Sequence, residues 1–178
     1  MSGERITEEK LRKALDADRT GRVVKDPVFA VVAPVVFESK EPYLLVEVRA
    51  EGIAQAGDPC FPGGKIEEGE SPAQAASREM EEELGIRVLP EEFLGELPEV
   101  YTYLGRLTRI YVCSVDPGQA DRVRINPDEV SVLLKVPVSL FLKDPFAMEF
   151  PFGGHVIWGM TAGAVRRLCK AWEKARKL

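Results

Sequence analysis

The 178-residue chain is poor in histidine and cysteine and has no excess of positive charge, and each scarcity removes a class of function. Its three cysteines, Cys60, Cys113 and Cys169, are odd in number, far apart and form no C-x-x-C pair. That spacing excludes a disulfide framework or a zinc ribbon and suits a reducing compartment. Lysine and arginine number 24 against 29 acids, for a net charge of −5. A nucleic-acid binder needs a basic footprint that this balance does not supply. The longest apolar run, FAVVAPVVF from Phe29 to Phe37, is too short to span a bilayer and is interrupted by Pro34. The amino-terminal MSGERITEEKLRKAL has no apolar signal core. The expectation is a cytoplasmic protein with neither nucleic acid nor membrane as partner. An anionic ligand would have to draw positive charge from a local source, and a bound cation is one.

What is present fits one soluble domain: 45% apolar and 30% charged residues give enough of both for a core and a solvated surface. ITEEKLRKALDA reads as a short amphipathic helix with Thr7 as N-cap, so residues 1–20 are set apart as a helical extension and 21–178 as the main domain. FAVVAPVVFE, YLLVEVRA, TRIYVCSV and VSVLLKVPV read as strands. GDPCFPGGKIEEGES is broken by glycine and proline and reads as a loop. Ser71 and Pro72 then open a helix as N-cap and N1, PAQAASREMEEEL continues it, and Gly85 stands at C′. IWGMTAGAVRRLCKAWEKARKL is the last helix. The irregular alternation of strands and helices predicts an α/β fold with a mixed sheet.

The Ser71 helix ends oddly. Glu79, Glu82 and Glu83 stand at i, i+3 and i+4, which puts all three carboxylates on one helix face. Like charges at that spacing cost about 0.2–0.5 kcal/mol per pair, and the helix C-terminus opposes acids as well. A solvated acidic face is the bland reading. The sharper one is a site for magnesium or manganese, whose charge turns the repulsion into attraction.

The surrounding spacing favours the sharper reading. It runs Gly64, five residues, Glu70, seven residues, Arg78-Glu79, apolar Met80, one residue, Glu82-Glu83, one residue, Gly85, apolar Ile86. Seven fixed letters in register arise by chance on the order of 10⁻⁸ per window. The pattern resembles the signature of the Nudix hydrolases. The resemblance implies a loop–helix–loop box in an α/β/α sandwich, divalent cations, and hydrolysis of a nucleoside diphosphate linked to another moiety. By position it makes Glu79, Glu82 and Glu83 metal ligands and Arg78 with Glu70 an ion pair that orients the catalytic glutamate. Gly63 and Gly64 would let the backbone approach metal or phosphate. A sheet-edge homodimer is consistent with the resemblance.

Upstream, LLVEVRAEGIAQAGDPCFPGG resembles the segment before the box in coenzyme A diphosphatases, with Leu44, Leu45, Arg49, Gly57 and Phe61–Gly64 in register. That branch has a second arginine where Ile53 stands, and hydroxyl residues where Val46 and Val48 stand. NPDEVSVLLKVPVSLFL and GGHVIWGMTA resemble the same branch. The resemblance implies CoA or a CoA derivative as substrate, giving 3′,5′-ADP and the 4′-phosphopantetheine moiety. ADP-ribose, a dinucleotide or a nucleoside triphosphate is the alternative, and a non-catalytic ligand sensor is a further one. Arg49, Phe61, Gly63 and Gly64 are the substrate-side candidates, although Arg49 reads equally as a surface charge. Asp128 and Glu129 lie in a turn before a strand, and Glu129 is the preferred extra base or ligand. His155 reads as structural, Trp158 as core or as a base-stacking surface, and the basic last helix as a solvated face that complements its dipole.

Overall fold

A computed structural model describes residues 6–17, 26–102 and 104–178. The proposed boundary near residue 20 lies outside the described residues. Helix α1 (Glu8–Asp16) is capped by Thr7, whose hydroxyl accepts from the Lys10 amide at 3.3 Å. Strand β1 (Phe29–Val36) lies in the middle of a sheet with β2 (Tyr43–Arg49), β3 (Pro59–Cys60), β4 (Gly63–Lys65), β5 (Gly95–Tyr101), β6 (Leu107–Val115) and β7 (Val130–Pro137). Helix α2 (Pro72–Leu84) follows β4. The short α3 (Pro117–Ala120) and α4 (Val138–Lys143) flank β7, and the hairpin β8 (Phe150–Phe152) and β9 (His155–Ile157) leads into α5 (Gly159–Ala175). β1 runs parallel to β6 and antiparallel to β2 and β4, so the sheet is mixed.

Period-two alternation along β1 builds two cores. Val31, Ala33 and Val35 join a cluster with α1, α4 and α5, while Ala30, Val32 and Val36 pack with Ala75, Ala76, Met80 and Leu84 of α2. The result is an α/β/α sandwich. Helix α1 is no free appendage: Leu11, Ala14 and Leu15 are buried in the first core beside α5 and β5.

The feature that positions the site is a split in the sheet. β2 pairs with β1 only at Val35–Leu44 and Val36–Tyr43 and then diverges. The chain from residue 59 to 65 fills the opening, with β3 on β2 and β4 on β1. The stretch expected to be a loop is therefore two short strands. Its glycines and prolines hid them. Pro34 is tolerated mid-strand because the Val32 amide bonds Pro62 on this side, and two residues further on no partner strand asks for an N–H. β5 has no clear strand signature because it contains Gly95 and Pro98, and its register slips between Leu97 and Val100 at that proline.

Candidate active site

Helix α2 is defined by its ends. The Ser71 hydroxyl accepts from the Gln74 amide at 3.3 Å, and the Gln74 side chain accepts from the Ser71 amide at 2.9 Å. This reciprocal cap starts the helix, and Gly85 stops it at φ +65°, a left-handed conformation natural to glycine. Burial of Ala75, Ala76, Met80 and Leu84 against the sheet then fixes the rotation of the helix. The same rotation turns Glu79 and Glu83 towards the residue 59–65 insert.

Two glycines receive them. The Gly63 amide donates to Glu83 Oε2 at 2.8 Å. At Gly64 any Cβ would overlap the Glu79 carboxylate, so only glycine admits it there. Arg78 holds the outer edge. Its Nε and Nη2 bond Glu70 at 3.0 and 3.1 Å, and its Nη1 reaches Glu79 at 2.8 Å and Glu82 at 2.9 Å. Nη2 also donates to the Lys65 carbonyl at 3.2 Å, which ties α2 to the end of β4.

Carboxylate oxygens of Glu79, Glu83 and Glu129 all lie within 4.8 Å of one another. Glu129 enters from the turn before β7, where its Oε1 accepts from the Asn126 side chain at 3.3 Å. Asp128, the other candidate in that turn, is exposed, and its amide closes a local turn on Asn126. Glu82 is half exposed and faces Arg78 at the rim of the cluster. Glu83 is 3% exposed, and burial first, then the charge of Glu47, pushes its carboxyl up, against the Gly63 bond that lowers it. Burial likewise pushes Glu79 up, and Arg78 pulls it down. Acids that resist ionisation together, with oxygens this close, are a hard donor set that suits a divalent cation.

Glu47 is the residue that sequence reading missed. It is 0% exposed on β2; Oε1 accepts from the Cys60 thiol at 3.3 Å, and Oε2 has no partner among the described residues. Burial raises its carboxyl, and the charges of Glu129 and Glu79 raise it further. Burial and the Glu47 charge push the Cys60 thiol up too, so it stays protonated and inert as a nucleophile.

On the other side of Cys60 a cleft of about 480 Å³ opens between β3 and the start of α5. Arg49, Asp58, Tyr101, Trp158, Arg166 and Arg167 are among its lining residues. Arg49 donates Nε to the Ala54 carbonyl at 2.7 Å, which fixes it at the cleft wall. Phe61 is 4% exposed and packs in the core, leaving almost no surface for a ligand; the Phe61–Gly64 run acts through its backbone. His155 sits in the β8–β9 hairpin opposite Phe152, outside both acid cluster and cleft.

The family model of the NUDIX domain matches residues 26–148, which takes in the insert, α2 and Glu129. The chain belongs to the NUDIX family. It is 30% identical over 154 residues to an uncharacterised Nudix hydrolase, NudL, of Escherichia coli strain K12, covering 78% of this chain and 79% of that protein. Among solved structures, the MutT NUDIX hydrolase of Burkholderia pseudomallei superposes with a TM-score of 0.56 at 21% identity, over 80% of this chain and 98% of that one. The NUDIX domain of Shewanella oneidensis NrtR, complexed with ADP ribose, gives 0.59 at 18% identity, over 90% and 96%. These likenesses show the Nudix fold. As a Nudix hydrolase the chain is an enzyme of a family that generally uses divalent metals, and no helix among its described residues is long and apolar enough to cross a membrane.

Proposed function

We propose that this Nudix hydrolase is a magnesium- or manganese-dependent pyrophosphohydrolase that cleaves CoA or a CoA derivative into 3′,5′-ADP and the 4′-phosphopantetheine moiety. The observation that carries it is the Glu79–Glu83–Glu129 cluster standing next to a cleft edged with arginine and aromatic side chains. A phosphoanhydride is inert because its oxygens repel a nucleophile, and a bound divalent cation neutralises them and acidifies a water. Glu79, Glu83 and Glu129 would hold that cation, with Glu82 joining from the helix rim. Arg78 keeps Glu79 and Glu82 in place while Glu70 fixes Arg78. Glu129 is assigned the proton of the attacking water: among the described residues one neutral amide, that of Asn126, bonds its Oε1, which leaves its other oxygen for either the cation or that proton. Water would then bond to phosphorus as the anhydride P–O bond breaks, and the phosphate ester of the leaving half carries away the charge.

The departures from the CoA branch bear on this reading. Val46 and Val48 are buried in the larger core and are not among the lining residues of the cleft, so hydroxyls there would not touch a ligand in it. Only the arginine replaced by Ile53 is a real loss. The likeness to a domain complexed with ADP ribose keeps that diphosphate as the second reading. The sensor reading is disfavoured by the complete set of acids. A panel of CoA, acetyl-CoA, ADP-ribose, NADH and dGTP, incubated with each metal and read by mass spectrometry, tests the assignment. Release of 3′,5′-ADP from CoA supports it, and turnover of ADP-ribose with CoA untouched replaces it by the second reading.

A further inference from the structure

The cleft beside Cys60 has an odd charge for this chain. Within a protein of net charge −5, it gathers Arg49, Arg166 and Arg167 against one acid, Asp58. Asp58 Oδ1 accepts from the Trp158 indole at 3.3 Å, which holds the ring at the cleft mouth. Arg49 and Arg166 are tethered by neutral acceptors, the Ala54 carbonyl at 2.7 Å and the Ala147 carbonyl at 3.2 Å. Each keeps further N–H donors on its fork.

The two helix arginines lie three and four residues beyond Gly163 on α5. A Cβ built on Gly163 would lie 3.7 Å from Arg166 Nη2 and 3.6 Å from Arg167 Nη1, and Arg167 Nη1 donates to the Gly163 carbonyl at 2.9 Å. An anion above that bare glycine would meet the donors that Arg166 keeps beyond its bond to Ala147. Tyr101 and Trp158, 60% and 46% exposed, supply flat apolar faces at the same cleft. Large aromatics left open beside a cationic pocket suit a stacked base with a phosphate attached to its sugar.

The acid cluster lies one short step away. Pro59 and Cys60 line the cleft, and the Gly63 amide holds Glu83, so four peptide steps, at most about 14 Å of extended chain, join the two. A single nucleotide can place its diphosphate at the cluster and its base in the cleft.

We propose that this cleft binds the nucleoside end of the substrate, and that Arg166 with Arg49 grips a phosphate monoester distinct from the scissile anhydride. This rests on the reading of the chain as a CoA-type pyrophosphohydrolase and names the residues that make the 3′-phosphate matter.

Binding of 3′,5′-ADP and of 5′-AMP by titration calorimetry tests it without turnover, because the probes differ by that one phosphate. Wild type is expected to bind 3′,5′-ADP at least about tenfold more tightly, the scale of a charge-assisted contact. Arg166→Gln should bring the ratio near unity while AMP affinity is kept, and Arg166→Lys should restore part of it. Arg49→Gln, at the opposite wall, should lower the ratio independently. Equal binding of both probes by wild type overturns the proposal, and so does a parallel loss of both in the Arg166 and Arg49 variants. CoA turnover on the same samples separates the two claims. CoA cleaved with no preference between probes sinks the phosphate site alone. A preference that is present and lost in Arg166→Gln, with CoA uncleaved, sinks the CoA assignment and leaves the site standing.

Discussion

The Gly63 amide donates to the Glu83 carboxylate at 2.8 Å, and this bond joins the insert in the split sheet to the acidic end of α2. Twenty residues separate them in sequence. The bond satisfies a buried carboxylate that has few other partners, and it places one glutamate where Glu79 and Glu129 can meet it.

Gly64 tests how tightly that meeting is built. Replacing it by alanine puts a methyl group into the space of the Glu79 carboxylate. The fold should survive, since the neighbour is a side chain that can swing aside, but Glu79 would leave the cluster. Manganese affinity by calorimetry is expected to fall by about 10–100-fold. Unchanged affinity would show that Glu79 is not needed there.

Arg78 is a positioning residue with a fork that lysine cannot copy. Arg78→Lys keeps the charge and loses the paired bonds to Glu70 together with the reach to Glu79 and Glu82. Activity should drop about 10–100-fold with KM little changed, and Glu70→Gln should act in the same direction by a smaller factor. A pure KM effect would instead place Arg78 on the substrate.

The acid cluster makes a prediction about pH. Glu47 is pushed up to about 7 and Glu83 to about 9 from ordinary values near 4.5, both chiefly by burial, with the charges of Glu129 and Glu79 adding at Glu47 and that of Glu47 adding at Glu83. Folded-state values above the unfolded ones mean that the unfolded chain ionises first. Stability is then fully present below about pH 4.5 and is lost as pH rises through 7 and 9. Metal-free protein should therefore melt at progressively lower temperature from pH 5 to 9, and saturating magnesium should raise Tm most at the alkaline end. Calorimetry near pH 7 should also show proton release on metal binding. A flat Tm profile without metal would contradict the burial of these acids.

Helix α1 is expected to matter for folding. Leu11 is wholly buried in the larger core, so Leu11→Ala should cost about 2–5 kcal/mol in denaturant unfolding. A cost below about 0.5 kcal/mol, as for an exposed site, would return α1 to the status of an appendage.

The parts of this design that could be read from sequence are those set by local rules. Ser71, Pro72 and Gly85 mark the ends of α2 because capping acts within one turn, and i, i+3, i+4 spacing puts the acids on one face without any knowledge of the sheet. Glu129 could be read only halfway, since Asn126-Pro127-Asp128 signals a turn but not what the next residue faces. Glu47 was hidden inside YLLVEVRA, where one acid among apolar residues passes for a solvent-facing position. The clue lay in its neighbours: Leu44, Leu45, Val46 and Val48 are apolar at both parities, the mark of a strand covered on both faces. The split between β1 and β2 left no local trace, because it depends on where a Gly- and Pro-rich insert docks.

The most direct test of the central claim compares wild type with Glu83→Gln for hydrolysis of CoA, with and without magnesium or manganese. The products should be identified by mass spectrometry and the fold checked by thermal melting at pH 8. Wild type is expected to release 3′,5′-ADP only with metal, and Glu83→Gln should lose at least about 10²-fold in rate. The variant should also melt at or above the metal-free wild-type temperature, because at pH 8 folding forces Glu83 to keep a proton that the unfolded chain gives up, a cost glutamine does not carry. Metal-dependent turnover that survives in Glu83→Gln would contradict the account, for it would put the chemistry somewhere other than this cluster.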